Sequence, residues 1–301
     1  MSGLPVVLAV DLGGTAMKGA VVSEDGATMT ESTLATPSDG ILAALVELLG
    51  DLRRTAADDG HDVVGAGVAT PGMLDEQRGL VHYASNLGWR DVPLLDILRS
   101  ELHLPVAVGH DVRAAGLAER SSGAARGFGD FALVPIGTGV AAALVSSGGA
   151  VTGATGAAGE FGHIPVIPGG EPCTCGQRGC LEVYMSGAGV ARRYHAAGGE
   201  AVSTRRIVER LGDDPLADRV WSEALDVLAQ GLNILTLLLD PGLIVLGGGV
   251  SHAGDALFAP LGERMSAGLA WRERPPVVRS SLGGDAGRAG AALLAFDAAR
   301  T

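Results

Sequence analysis

Apolar residues run unbroken from Val6 to Val10, then give way to Asp11-Leu-Gly-Gly-Thr15. A continuous apolar run of this length ending in glycines predicts a strand buried on both faces, followed by a tight turn. "MKGAVVS" (17–23) predicts a second strand, and "EDGA" (24–27) a hairpin turn. Residues 38–57 carry apolar residues at helical spacing, with Ser38 or Asp39 as the expected cap. Strands are expected at 62–72 and 104–110, and "DVRAAGLAERSSG" predicts the helix after the latter. At 131–149, "FALVPIGTGVAAALVSSGG" repeats the opening device of strand, glycine turn and strand, which suggests two related halves. A mostly helical region (182–239), the strand "GLIVLGGGVS" and the final amphipathic helix "GRAGAALLAFDAAR" complete the pattern. Strands alternating with helices indicate an α/β architecture.

Two apolar stretches are long enough to need checking as membrane spans. The first is broken by Pro135 and glycines, the second by Gln230, Asn233 and Asp240-Pro241, so buried strands and helices are expected in their place. The start, "MSGLPVV", has no basic segment and no cleavable apolar core, so no signal peptide and a cytoplasmic location are expected. The 301 residues allow two packed domains. Charge then narrows the partners: 22 basic against 34 acidic side chains give −12, which argues against nucleic acid or an anionic membrane as the main partner. Lys18 is the only lysine. An anionic ligand must therefore rely on backbone N–H groups, a metal ion and a few local charges.

Three glycine-rich turns each end an apolar strand: Asp11–Thr15, Gly137-Thr138-Gly139 and Gly247-Gly248-Gly249. Glycines there let backbone N–H groups approach a phosphate, Thr15 adds a hydroxyl, and Asp11 adds a carboxylate able to hold Mg²⁺ through water. A single such loop reads rather as a plain turn; three suggest convergence on one polyanionic ligand. Asp111 stands where a strand gives way to a helix. It is either a helix cap or a general base at the carboxyl end of a strand, where α/β proteins place ligands.

All three cysteines lie within eight positions, in "CTCGQRGC" (173–180), ten residues after His163. Cys173, Cys175, Cys180 and His163 make a Cys3His set suited to structural zinc. Glu160 and Glu182 flank these ligands, and a zinc knot would fix both carboxylates. Such a pair suits vicinal hydroxyls of a sugar, although a lone glutamate is by default a solvated surface residue.

Together, "DLGGT", "NLGW" (86–89), "IGTG", "GEFGH", "CTCGQRGCLE", "IVLGGG" and "GAALLA" resemble the ROK family of sugar kinases and sugar-responsive repressors, over residues 6–296. The resemblance implies an actin-like (ribonuclease H-like) fold with two α/β domains and an interdomain cleft. The expected domains are a smaller one (1–115 plus 288–301) and a larger one with the zinc site (116–287). It further implies ATP-dependent phosphorylation of a hexose, glucose first, at its 6-hydroxyl, with Asp111 as base. Asn86, His110, Asp111, Glu160, His163 and Glu182 are the implied sugar ligands, His163 placing one ring nitrogen on zinc and the other on the sugar. Asp11, Gly13, Gly14, Thr15, Lys18, Gly137, Thr138, Gly139 and Gly247 to Gly249 are the implied sites for ATP and Mg²⁺. A homo-oligomer, dimer or tetramer, is also implied.

Three departures from the family pattern stand out. Asn-Asp-Ala-Asn is usual at the catalytic strand end; here it is His110-Asp111-Val112-Arg113. The usual lysine of "DxGGTK" is displaced to Lys18, and "GTGVAAAL" replaces a more glycine-rich "GTGIGGG". Another hexose, an N-acetylhexosamine, or polyphosphate as donor remain alternatives. Two readings come from other classes: a catalytically silent sugar-binding or sensing protein, and a DNA-binding regulator. The latter would need an N-terminal helix-turn-helix, for which a first strand near residue 5 leaves no room.

Overall fold

The computed structural model describes residues 3–301. Its contacts divide the chain into two compact units. The first comprises the chain up to Ser121, Thr152–Ala158 and Gly284–Thr301; the second comprises Ser122–Val151 and Gly159–Gly283.

In the first unit, strand β1 (Pro5–Leu12) is continuously apolar from Val6 to Val10, where both of its faces are covered. Val6, Leu8 and Val10 point into one core, Val7 and Ala9 into the other. The turn at Gly13–Thr15 returns the chain antiparallel as β2 (Ala16–Ser23), and β3 (Thr28–Ala35) forms the more exposed edge. Helix α1 (Ile41–Asp58) buries Leu45, Leu48, Leu49 and Leu52, one face at helical spacing. Its start corrects the expected cap: neither Ser38 nor Asp39 caps it, and Gly40 occupies the cap position with φ 72° and no side-chain bond. The left-handed geometry suits glycine, so backbone turning replaces side-chain capping here.

Strand β4 (Asp62–Thr70) lies parallel to β1. A small antiparallel sheet follows, β5 (Met73–Asp75), β6 (Leu80–Ala84) and β7 (Trp89–Pro93), then helix α2 (Leu94–Leu102). Strand β8 (Val106–His110) is parallel to β4 and leads directly into α3 (Asp111–Ser121). The C-terminal helix, Ala286–Arg300, covers the second face of the sheet with Ala291, Ala292 and Ala295.

The second unit opens with β9 (Phe131–Pro135), β10 (Ala143–Ser146) and the short β11 (Gly149–Ala150). Helices α4 (Leu181–Met185), α5 (Gly187–Ala196), α6 (Thr204–Val208) and α7 (Pro215–Leu239) follow. Asp214 caps α7 by accepting the Leu216 N–H, with Pro215 at the first helical position. By length and composition α7 would span a bilayer, yet Leu225, Leu228 and Leu232 bury it in this unit's core. Strand β12 (Leu243–Gly247), helix α8 (Asp255–Ala267) and strand β13 (Val277–Arg279) finish the unit.

Sheet order is β3-β2-β1-β4-β8 in the first unit and β11-β10-β9-β12-β13 in the second. In both, the first three strands form an antiparallel meander and the next two run parallel to the first strand, β1 or β9. The two halves suggested by the repeated strand–turn–strand pattern thus share one topology, and the fold is actin-like.

Candidate active site

At the carboxyl end of β1, Asp11 faces Lys18 across the β1–β2 register, and its carboxylate packs against Gly287 in the first turn of the C-terminal helix. Burial, reinforced by the negative charge of Asp111, raises the Asp11 carboxyl from 3.8 to about 6; Lys18 and Arg288 pull the other way. The Lys18 ammonium donates to Gly284 O at 3.0 Å. Between the strands, Gly13 N–H bonds Ala16 O at 2.9 Å and leaves Gly14 and Thr15 exposed at the tip. Asn86, also exposed, packs against Gly14.

The parallel pair β4–β8 ends with Thr70 opposite His110, and Asp111 is the next residue. Its Oδ1 accepts the Val112 N–H at 2.7 Å and lies 3.2 Å from His110 Nδ1. The carboxylate therefore serves the helix start and still keeps 30% of its side-chain surface accessible. Burial raises its pKa above the ordinary carboxylate value, only partly offset by the Val112 amide and the Arg113 charge. Arg113, where the family pattern has asparagine, is buried and ion-paired to Glu76 at 2.9 Å.

In the second unit the other two glycine turns meet. Ile136 N–H donates to Gly247 O at 3.0 Å, and Val250 N–H to Ile136 O at 3.1 Å. Gly248, at φ 72°, lies so near that a Cβ would sit 2.5 Å from Ile136 O. Gly137, Thr138 and Gly249 open onto a cavity of about 1010 Å³ that Thr204, Trp221 and His252 also line. Glycine turns at one end and apolar side chains such as Trp221 and Val250 beyond them suit a ligand with phosphates and an aromatic base.

His163 ends a 3₁₀ turn, Phe161–His163, and Cys180 immediately precedes α4. The ligand atoms of His163, Cys173, Cys175 and Cys180 all lie within 4.8 Å of one another. Cys173 Sγ is 3.7 Å from His163 Nδ1, and Cys175 Sγ is 3.7 Å from Cys180 Sγ. Bonds of about 2.3 Å to sulfur and 2.0 Å to nitrogen in a tetrahedron need ligand spacings of about 3.5–3.8 Å, so the cluster fits zinc. Nδ1 faces the cysteines, while Nε2 lies 3.9 Å from Glu160 Oε2. Burial and the neighbouring thiols push Cys180 up to about 12, which a bound cation would reverse. At the far end of the motif, Glu182 Oε2 accepts the Val140 N–H at 2.8 Å. It occupies the space a Cβ at Gly139 would need, 2.8 Å away.

A family model described as the ROK family matches residues 7–298. The chain belongs to the ROK family. It is 35% identical over 278 residues to a glucokinase of Halalkalibacterium halodurans, covering 86% of this chain and 84% of that one. The crystal structure of a ROK hexokinase from Thermus thermophilus superposes with a TM-score of 0.86 at 34% identity, covering 98% of this chain and 99% of the other. A ROK family glucokinase from Streptomyces griseus, in complex with glucose and AMPPNP, gives 0.83 at 32% identity, covering 97% and 99%.

Within this ROK chain the structure gathers the motif residues into local groups. Asp11, Gly13, Gly14, Thr15, Lys18, Asn86, His110 and Asp111 belong to the first unit; the remaining glycine turns, Glu160, His163, Glu182 and the cysteines belong to the second. Sequence reading did not single out Glu76, Thr204, Trp221 or His252. The last three reach the cavity from α6, α7 and the turn after β12, and carry no motif of their own. The signal that did exist was Ser203-Thr204, a hydroxyl pair at a helix start, where Ser203 accepts the Arg206 N–H.

Proposed function

We propose that this chain transfers the γ-phosphoryl group of ATP to the 6-hydroxyl of a hexose, glucose first. The observation that carries the reading is Asp111. It is a carboxylate at the carboxyl end of a parallel strand, partly desolvated yet accessible, in a chain about a third identical to glucokinases. Phosphoryl transfer asks little covalent work of a protein; it asks for positioning, charge stabilisation and a carboxylate that takes the hydroxyl proton. Asp111 accepts that proton from the sugar. Burial raises its pKa, and a more basic carboxylate is a better proton acceptor.

Asn86, His110, Glu160, His163 and Glu182 hold the other hydroxyls. Gly13–Thr15, Lys18 and the turns at Gly137–Gly139 and Gly247–Gly249 hold the nucleotide. Mg²⁺ supplies charge neutralisation on the phosphates, and Asp11 fits its holder: a carboxylate pushed to about 6 gains from a nearby cation. Zinc, held by His163, Cys173, Cys175 and Cys180, braces the turn that presents Glu160 and His163. The protein is proposed to be cytoplasmic and a dimer or tetramer, which light scattering would check.

A matrix of hexoses and N-acetylhexosamines against ATP, GTP and polyphosphate tests the reading. Glucose with ATP is expected to give the highest kcat/KM. No sugar phosphate formed from any acceptor with any of these donors would leave a silent sugar-binding protein in its place.

A further inference from the structure

Glu76 sits in the turn between β5 and β6, 34 positions before His110 in sequence. Its Oε1 accepts two hydrogen bonds, from His110 N–H at 2.9 Å and from Arg113 Nε at 2.9 Å. These donors bracket Asp111: one is the backbone just before it, the other the side chain two residues after. Arg113 is only 3% exposed, and its Nη1 also donates to Gly156 O at 3.0 Å. Gly156 lies in the Thr152–Ala158 segment, which packs with the first unit and precedes Glu160 along the chain.

We propose that Glu76 and Arg113 are positioning residues for phosphoryl transfer: the ion pair of buried Arg113 with half-buried Glu76 fixes the strand–helix junction that aims Asp111 and ties the 152–158 segment to it. The role rests on the kinase reading above. Three physical facts support it. An ion pair largely withdrawn from water stabilises a fold little compared with an apolar pair of similar volume, so its contribution is better sought in geometry than in stability. A guanidinium bonds in two fixed directions at once, which a flexible ammonium cannot reproduce. Transfer rates depend steeply on the placement of the base.

The test compares the full-length chain with Glu76→Gln, Arg113→Lys and the double variant Glu76→Met/Arg113→Met. Glucose turnover with ATP, KM values, thermal midpoint and hydrogen exchange at the His110 amide are measured on each. The double variant removes both charges and should keep a near wild-type midpoint. Its kcat is expected to fall about 10- to 100-fold, with ATP KM little changed, and its His110 amide to exchange faster. Glu76→Gln keeps the Oε1 acceptor and should lose less turnover. Arg113→Lys can reach Glu76 or Gly156 but not both, and should restore only part of the rate lost in the double variant. A stable double variant with wild-type turnover, or with an equally protected His110 amide, overturns the proposal. If the unmodified chain phosphorylates no sugar, the kinase reading fails by itself, and the exchange measurement still decides whether the junction is held this way. Should the double variant not fold, the two single variants decide by the same measurements: wild-type turnover and wild-type protection in both would overturn the role.

Discussion

Glu182 holds the backbone of Val140, its Oε2 accepting that amide at 2.8 Å across 42 positions of sequence. One carboxylate therefore joins the end of the cysteine motif to the glycine turn at Gly137–Gly139. Glu182→Gln keeps an oxygen that can accept the same N–H, and Glu182→Ala does not. Both variants are expected to raise the hexose KM, because both alter a carboxylate proposed to hold the sugar. Only Glu182→Ala should also raise the ATP KM, by about 10- to 100-fold, the equivalent of losing one hydrogen bond to a charged group. Steady-state kinetics with each substrate varied separates the two; equal ATP KM values would show that the Val140 bond does not support the nucleotide.

Asp111 is partly accessible and bonds the Val112 amide as well as facing His110. Asparagine at this position keeps an acceptor for Val112 and removes the proton acceptor. Asp111→Asn is expected to have a thermal midpoint at neutral pH no lower than that of the unmodified chain, and to lose about 10²- to 10⁴-fold in kcat. A variant that kept half the wild-type rate would remove Asp111 from the role of base.

The cysteine motif and the apolar strands were legible in sequence because their causes are local. Ligand spacing is set within 173–180, and Val6–Val10 reads as a doubly covered strand since every position is apolar. The start of α1 was not, because Gly40 turns the chain by its own backbone and no polar side chain marks the cap. Strands β5 to β7 escaped for another reason: runs of three to five residues are too short to show a period. Arg113 read as a departure from a pattern. Its partner Glu76 is 37 positions away, and only the folded turn reveals that one oxygen serves both sides of Asp111. Local chemistry is printed in the sequence, whereas pairings across elements are made by topology.

Asp11 is held in the folded state at about 6 against an ordinary 3.8, chiefly by burial. The folded protein therefore binds this proton more tightly than the unfolded chain does. The carboxyl costs nothing below about pH 3.8, costs progressively more as pH rises, and costs most above about pH 6. The full cost is about 3 kcal/mol. Asp11→Asn is accordingly expected to be more stable than the unmodified chain at pH 7.5, with the difference closing as pH falls toward 4. The same variant should lose activity, since the destabilising charge is the one assigned to Mg²⁺. Thermal midpoints across pH 4–8 check the first part, and Mg²⁺-dependent kinetics the second. A variant no more stable at pH 7.5 than at pH 4, relative to the unmodified chain, would refute this account of Asp11.

The Cys3His cluster brings three thiols together with one of them, Cys180, buried and pushed up to about 12. Zinc binds thiolates, so loading the site must expel the protons those sulfurs carry. Purified protein is expected to hold about one zinc per chain. Chelated protein titrated with zinc in weak buffer at pH 7 should release protons as it loads, up to about three per ion, one for each thiol. Cys175 is also the exposed ligand, and Cys175→Ser leaves the buried Cys180 in place. That variant should fall well below one zinc per chain and release fewer protons per ion. Its hexose KM should rise more than its ATP KM, because His163, one of the proposed ligands, and Glu160 beside it are proposed to hold the sugar. Full zinc occupancy in Cys175→Ser, or zinc uptake with no proton release, would show that these sulfurs do not form the site.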